Sequence, residues 1–223
     1  MLKRIFLFFP VLFILFPAHT EAIAEIVVNG DWRDTILSEV DSSLILINDE
    51  DIRKKQYKHF EDITYLVPNL NFAASDSRPR YFQIRGIGER SGYEGTPNSS
   101  VGFLIDDIDC SGQAGIASVY EIDQVEVYRG PQGSRMGASS LAGMIYIKTK
   151  DPQDLFEANG EITLGNYGRN DLSASINIPF TKNLMSRLSI RKEDFDGFRE
   201  NLFLKRDDTS RKDEQSLRFK TNW

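Results

Sequence analysis

The strongest constraint on the fold of this chain lies in residues 121–149, where two strand patterns enclose a run of small residues. In residues 125–128 two valines alternate with a glutamate and a tyrosine, which is the period of a half-buried β-strand. The next five residues, 129–133, read Arg-Gly-Pro-Gln-Gly, and this placement of proline and glycine favours a tight turn. Residues 137–143 are almost all Gly, Ala or Ser, so the backbone there can pass close to another surface. Residues 144–149 predict a second strand, and the whole stretch therefore predicts a compact unit enclosed by other structure.

Composition excludes several classes of function. The chain has 223 residues and a formal net charge of −6, which does not predict nucleic-acid binding. Cys110 is the only cysteine, so an intrachain disulfide and a cysteine-based zinc site are excluded. The two histidines, His19 and His59, are far apart in the sequence and predict no histidine-rich metal site. We therefore expect neither a cofactor nor a resident metal.

Three motifs suggest other chemistry but lack required residues. The glycines of residues 86–88 follow a strand pattern, yet the third glycine of a dinucleotide-binding motif is displaced. Residues 130–140 lack the Gly-Lys-Ser/Thr ending of a phosphate-binding loop. The aspartates of residues 106–109 leave a calcium-binding site as an alternative to a simple turn, although the other ligands of a known calcium loop are missing at the required spacing. Since no nucleophile–base or metal constellation is present either, the sequence does not predict an enzyme.

The first 24 residues have the pattern of a secretory signal peptide. Lys3 and Arg4 provide the positive start, residues 5–16 are an apolar run broken only by a proline, and residues 22–24 offer small residues before a cut. A membrane anchor is the alternative, but the run is shorter than the ~20 residues that a spanning helix needs. The chain is therefore predicted to be exported.

The next segment, residues 25–30, is β-prone and ends in the turn pair Asn-Gly. Two readings stay open for it. It is either the first strand of the following domain or an extended segment that a partner protein captures by strand addition, in which main-chain hydrogen bonds supply the affinity.

Residues 44–152 alternate between strand and helix patterns. Residues 44–47 predict a buried strand, and Asn48 predicts the N-cap of a helix with an acidic first turn and a basic later turn. A second helix is expected around residues 60–67, where Phe, Ile and Val share one face, and it must end before Pro68. Further strands are expected at residues 81–85 and 101–106, so this part predicts a mixed α and β domain.

After Pro152 the helix patterns stop and a period of two residues takes over. Four stretches alternate apolar and polar side chains: 161–164, 171–178, 187–191 and 216–223. A short link at residues 179–183 and a long charged link at 194–214 separate neighbouring stretches, as in the strands of a membrane barrel. One face of a soluble β-sandwich would give the same alternation and is the alternative.

Several of these motifs together resemble the plug domain of TonB-dependent outer-membrane receptors of the siderophore-receptor type. The matching segments are Phe82-Gln83-Ile84-Arg85-Gly86, Arg129-Gly130-Pro131-Gln132-Gly133, Ile147-Lys148-Thr149 and, in the first strands after the plug, Gly165-Asn166-Tyr167-Gly168. The chain departs from the family pattern at Met136, where an aromatic residue is usual, and at Asp107 and Ala142, where glycine is usual.

The resemblance implies a fold class and four regions. The fold is an α+β plug domain with a small mixed sheet, followed by the first antiparallel strands of an incomplete transmembrane β-barrel. The implied regions are a signal peptide (1–24), a TonB box (25–30), the plug (31–152) and the start of the barrel (153–223). Because a single-chain barrel needs at least about eight strands, we expect the chain to be the front of a longer receptor or a truncated product.

The resemblance also implies a function in the outer membrane of a Gram-negative bacterium. The expected activity is energised uptake of a scarce ligand, such as a ferric siderophore, without covalent chemistry. The expected partners are TonB, the outer-membrane lipid around the barrel and a small ligand that is a metal chelate. The alternatives are a remnant that cannot transport and a secreted, soluble, plug-like binding module.

Three groups of site residues follow from the resemblance. The expected TonB-binding residues are Glu25, Ile26, Val27 and Val28. The expected ligand contacts lie on outward loops of the plug and are Arg78, Arg80, Tyr93 and Gln113, because arginine suits an anionic ligand and tyrosine stacks on apolar parts. The residues expected to fix the plug to the barrel wall are Arg85, Glu126 and Arg129 as charge partners, with Gly130, Pro131 and Gly133 in the turn.

Overall fold

The computed structural model describes residues 26–30, 35–74, 78–91, 93 and 98–223. The predicted signal peptide and Glu25 therefore lie outside the described residues. The strands, in chain order, are β1 (Val27–Val28), β2 (Thr35–Ile36), β3 (Leu44–Asn48), β4 (Leu70–Ala74), β5 (Pro79–Ile84), β6 (Val101–Ile105), β7 (Ile108–Asp109), β8 (Ile122–Arg129), β9 (Gly143–Thr149), β10 (Glu157–Leu164), β11 (Asn170–Thr181), β12 (Leu184–Phe195) and β13 (Lys212–Asn222). The α-helices are α1 (Asp49–Lys54), α2 (Phe60–Ile63) and α3 (Gly133–Met136).

A five-stranded mixed sheet with the order β3-β8-β9-β6-β7 forms the centre of the first unit. Strands β6 and β9 are parallel, and the other neighbours are antiparallel. The two strands predicted on either side of the small-residue run are β8 and β9, which pair directly. At Gly143 a side chain would lie 2.3 Å from the carbonyl oxygen of Tyr128, so the close approach of the two strands requires glycine there. The short helix α3, which lies between the turn and this run, was not predicted.

Both predicted helices are present, the first with the predicted N-cap and the second with the predicted end before Pro68. The Oδ1 atom of Asn48 accepts a hydrogen bond from the backbone N–H of Asp51 at 2.8 Å and so caps α1. Helix α2 begins after His59, continues as a 3-10 turn at residues 64–66 and ends at Val67, directly before Pro68. Each helix lies over the central sheet with its apolar residues buried.

The two faces of the central sheet bury different clusters, because alternate residues of each strand point to opposite sides. On the helix side, Phe60, Phe82 and Phe103 form an aromatic trio with ring centroids 5.2–5.4 Å apart. On the other side, Val28 packs into a second cluster with residues of β6, β8 and β9, among them Tyr128. The N-terminal segment therefore covers part of the face that the helices leave open.

Strands β10–β13 form a separate antiparallel sheet in sequence order. Its four strands confirm the four alternating stretches predicted from the sequence. A two-residue link, Lys182-Asn183, joins β11 to β12, and the longer segment 196–211 joins β12 to β13. Polar side chains of β11 and β12 are buried towards the first unit, and apolar side chains face away from it. None of the helices in the described residues is long and apolar enough to cross a membrane.

We expect Phe103→Ala to destabilise the plug by about 3–5 kcal/mol, because it leaves a cavity in the aromatic trio. Tyr65, which is 82% exposed, provides the matched control, and Tyr65→Ala should change the free energy of unfolding by less than about 0.5 kcal/mol. Thermal unfolding of the two variants, followed by circular dichroism, tests this expectation. Equal unfolding midpoints would contradict the assignment of the trio as the centre of the core.

Candidate coupling, interface and ligand surfaces

The N-terminal segment, residues 26–30, is docked on the central sheet. Strand β1 pairs with β2, and the carbonyl oxygen of Ile26 accepts a hydrogen bond from Leu37 N at 2.9 Å. Ile26 and Val27 are each 43% exposed, whereas Val28 is buried. Of the four predicted TonB-binding residues, Ile26 and Val27 are therefore partly exposed, Val28 is buried under the docked segment, and Glu25 lies outside the described residues.

A buried carboxylate on β8 holds this segment. The Oε1 atom of Glu126 accepts hydrogen bonds from Asn29 N at 2.6 Å and from the Gln124 side chain at 2.6 Å. Its Oε2 atom accepts from Gly30 N at 2.9 Å and from the Tyr128 hydroxyl at 2.8 Å. Burial and the neighbouring Glu126 charge raise the pKa of Tyr128, so the hydroxyl stays protonated and donates. Glu126, predicted to face the barrel wall, instead makes these contacts inside the plug.

The other residues predicted to fix the plug to the wall lie at the ends of strands β8 and β5. The Arg129 side chain donates to Ser43 Oγ at 2.9 Å. Arg85 is exposed at the end of β5, with a φ of +53°. Among the described residues, no ion pair joins either arginine to strands β10–β13. Gly130 has a φ of +147°, so the turn after β8 does use the glycine that the motif provides.

Arg78 links the plug to the second sheet. Its guanidinium pairs with Glu61 on α2 and with Glu214 on β13. Lys212, also on β13, lies 2.9 Å from the same Glu61 carboxylate. The side chain of Arg78 is only 10% exposed, so this residue, predicted as a ligand contact on an open loop, lies at the interface between the two units.

Further charged contacts connect the same two units. Arg187 on β12 pairs with Glu121 of the plug, and both side chains are buried. Arg191, four residues further along the same face of β12, donates to the carbonyl oxygen of Lys58 at 2.7 Å. The sequence signal for these contacts is the pair Arg187 and Arg191, four residues apart on the polar face of β12, whereas the alternation alone predicts only a strand.

At the edge formed by β13, Lys220 reaches back to the plug. Its Nζ atom lies 3.2 Å from Asp106 and 2.6 Å from Asp151. Asp106 also accepts a hydrogen bond from Thr149 N at 2.9 Å. The aspartate turn considered for calcium is thus part of the interface, and Asp106 and Asp107 both have the positive φ that the family's glycine would provide.

His59 lies between α2 and the interface. Its Nδ1 atom accepts from Glu61 N at 3.1 Å, and Nε2 lies 3.2 Å from the carbonyl oxygen of Gly115, which fits a neutral ring with the proton on Nε2. Burial and the nearby positive charge of Arg78 lower the pKa of His59 below its usual range.

The outward loops carry the remaining predicted ligand contacts. Arg80 donates from Nε to the carbonyl oxygen of Gly112 at 3.1 Å, so it lies beside the loop that contains Gln113. Gln113 is exposed at the start of a short 3-10 turn. Tyr93 is fully exposed. The structure therefore brings Arg80 and Gln113 onto one surface and leaves Tyr93 accessible on its own loop.

The loop that carries Tyr93 is closed at its base by Glu89, a residue that sequence reasoning missed. The buried Glu89 carboxylate accepts hydrogen bonds from Ser100 N at 2.9 Å and 3.0 Å and from Ser100 Oγ at 2.6 Å. The two ends of residues 89–100 are thereby held together.

A family model described as "TonB-dependent Receptor Plug Domain" matches residues 37–144, which contain β3–β8 and the start of β9. Residues 37–144 therefore have the plug domain of TonB-dependent receptors. The vitamin B12 transporter BtuB of Vibrio vulnificus is 25% identical over 180 residues, which are 78% of this chain and 28% of that protein. The ferric enterobactin receptor PirA of Pseudomonas aeruginosa is 29% identical over 122 residues, 49% of this chain and 16% of PirA.

Among solved structures, the ferric yersiniabactin uptake receptor FyuA from Yersinia pestis superposes with a TM-score of 0.66 at 19% identity. The match covers 81% of this chain and 28% of FyuA, which shows the shared fold. The plug and the strands after it thus occur together in a receptor of this family, as the sequence predicted. The chain spans less than a third of the length of each of these proteins.

We expect Arg78→Ala to destabilise the chain, because Glu61 would keep only Lys212 as a cationic partner and Glu214 would keep none among the described residues. Breaking a fully buried pair costs about 3–5 kcal/mol, and because a third of Glu214 is exposed we expect about 2–3 kcal/mol here. Arg206→Ala, which removes an arginine from an exposed pair with Asp208, should cost less than about 1 kcal/mol. Chemical unfolding curves compare the two, and equal losses would contradict the interface role of Arg78.

Stability should fall on acidification through the titration of His59. The pKa of His59 is lowered in the folded state, so below the unfolded value of about 6.5 the unfolded chain binds the proton more readily. The contribution is complete above that pH and is lost as the pH falls towards the folded-state pKa. His59→Asn keeps an N-cap oxygen for α2 and should flatten the slope of unfolding free energy against pH below about pH 6.5. Unfolding midpoints measured across this range would show parallel curves if His59 had no such role.

Proposed function

We propose that the chain supplies the plug and the first wall strands of an outer-membrane receptor that takes up a scarce ligand, such as a ferric siderophore, with energy passed on by TonB. The observation that carries the proposal is a plug domain seated by ion pairs on the polar face of a sheet whose other face is apolar. In this assignment residues 1–24 are the signal peptide, 25–30 the TonB box, 31–152 the plug and 153–223 the start of the barrel. The names of BtuB, PirA and FyuA, which are a transporter and two receptors for ferric ligands, support transport over catalysis.

The outer face of β10–β13 supports a position in the outer membrane of a Gram-negative bacterium. Its large exposed apolar side chains include Ile162, Leu164, Leu172, Phe180, Leu188, Ile190, Leu217 and Phe219. Strands that present alternate apolar residues outwards and polar residues inwards suit a barrel wall in contact with lipid. A soluble binding module would have to cover this face with another layer of protein.

The outward loops support recognition of an anionic metal chelate. Arg80 and Gln113 share one surface, and the Tyr93 side chain is fully exposed on the loop between β5 and β6. An arginine pairs well with carboxylate or catecholate oxygens, and a tyrosine ring can stack on the apolar part of such a ligand. Arg78 is not included among the proposed contacts, because its guanidinium already pairs with Glu61 and Glu214.

The N-terminal segment supports coupling to TonB. Residues 25–28 would add to TonB as a strand, and the exposed sides of Ile26 and Val27 would face the partner. The plug is held to the sheet by ion pairs and hydrogen bonds, which water can replace when the plug is pulled. Arg85 and Arg129, with the turn of Gly130, Pro131 and Gly133, remain the proposed contacts with other parts of the receptor wall.

We expect Val27→Pro to weaken capture by the periplasmic domain of TonB at least tenfold, because proline removes a main-chain donor from the added strand. Val27→Ala keeps that donor and serves as the matched control. Pull-down of the full chain from membranes of cells expressing its own gene, with purified TonB domain, measures capture. If the proline variant were captured as well as the alanine variant, strand addition at these residues would be excluded.

A further inference from the structure

We propose that Glu126 is a positioning residue that holds residues 27–30 on the central sheet and so limits access of a partner strand to residues 26–28. The hold is a direct contact between a carboxylate and the main chain. Both oxygens of Glu126 accept backbone N–H groups of the segment, from Asn29 at 2.6 Å and from Gly30 at 2.9 Å. Charge-assisted hydrogen bonds of this kind are stronger than those between neutral groups.

The site around the carboxylate is built to receive backbone rather than a side chain. A Cβ atom at Gly30 would lie 2.8 Å from Glu126 Oε2 and 2.9 Å from the Tyr128 ring. Both of these side chains are completely buried, so neither can move aside freely. Gln124 adds a further contact, because its amide donates to the carbonyl oxygen of Val27 at 3.0 Å and to Glu126 at 2.6 Å.

Docking and capture by a partner use the same groups. While the segment is docked, the carbonyl oxygen of Ile26 is bonded to Leu37 N and that of Val27 to Gln124. Val28 is buried at the same time in the second apolar cluster. A partner strand therefore gains full access to this main chain only after Val28 leaves the cluster and Glu126 loses its two backbone donors.

When the N-terminal segment leaves, a buried carboxylate at the centre of the sheet loses two hydrogen-bond donors. Glu126 lies on β8, between β3 and β9, and is completely buried. A carboxylate at such a place must keep hydrogen-bond donors or admit water. The docked segment is thus energetically tied to the strand that leads into the Arg129–Gly133 turn, and a pull on residues 25–28 acts first on this carboxylate.

Thiol labelling tests the hold without any partner protein. Val28→Cys places a thiol at the docked position, and the native, buried Cys110 reports general opening of the plug in the same molecule. In this background Glu126→Gln keeps the shape of the side chain but turns one acceptor into a donor that faces a backbone N–H or the Tyr128 hydroxyl. We expect the thiol at position 28 to react about tenfold faster, with the rate at Cys110 unchanged.

Two further variants make the result specific. Gly30→Ala changes no residue of the sheet, but its added methyl group should push the segment away from Glu126 and Tyr128. We expect it to accelerate labelling at position 28 in the same way. Glu89→Gln is the matched control, because Glu89 is also a buried carboxylate that accepts a backbone N–H, from Ser100, without contact to the N-terminal segment. It should leave the rate at position 28 unchanged.

Three outcomes would overturn the proposal: an unchanged rate at position 28 in Glu126→Gln, equal acceleration of both thiols, or equal acceleration by Glu89→Gln. The identity of the partner rests on the proposed function and is tested separately with the purified periplasmic domain of TonB. If Glu126→Gln gives faster labelling and tighter capture, Glu126 holds the segment and docking competes with capture by TonB. If labelling is faster and capture is unchanged, docking does not compete with capture. If the parent chain were not captured at all, the proposed function would fail while the labelling rates still decided whether Glu126 holds the segment.

Discussion

The arrangement of the two units depends on how the charges on the inner face of the β10–β13 sheet are partnered. Arg187 and Arg191 are almost completely buried, and a buried guanidinium that loses its partner destabilises a protein by several kcal/mol. Their described partners in the plug are the Glu121 carboxylate for Arg187, and the Lys58 carbonyl oxygen and the Ser118 hydroxyl for Arg191. Within the sheet Arg187 also pairs with Glu157 and Arg191 with Glu193, so separation from the plug would remove only part of their pairing. Because the contacts are polar, the plug can separate from the sheet without exposing its own apolar core.

Local patterns explain why so much of the fold could be predicted. Some signals affect only residues close by in the sequence: the alternation of residues 125–128, the Asn48 cap and the proline after Val67. The structure has a strand, a helix start and a helix end at these three places. The four alternating stretches after Pro152 became β10–β13 for the same reason. Helix α3 was missed, because its four residues, Gly133–Met136, carry no apolar period and follow a turn motif.

The roles of individual charged residues were much harder to predict, because they depend on partners far away in the sequence. Glu126 and Arg78 were assigned to the wall and to the ligand by motif and loop position. The partners that place them elsewhere are distant in the sequence: Asn29 lies 97 residues from Glu126, and Glu214 lies 136 residues from Arg78. Nothing in the local sequence distinguishes a carboxylate that receives backbone donors from one that receives an arginine. Only the register of β8 against β3 and β9 turns Glu126 towards the N-terminal segment.

The separation between Asn29 and Glu126 also sets an order of events during synthesis. The chain is made from its N-terminus, so residues 27–30 appear long before the carboxylate that receives them. At roughly 5–20 residues per second, the ribosome needs about 5–20 s to add the 97 residues between the two positions. During this interval the segment has no docking site, and its apolar, β-prone residues are open to pairing with other strands. Seating of the N-terminal segment is therefore a late step in the maturation of the plug.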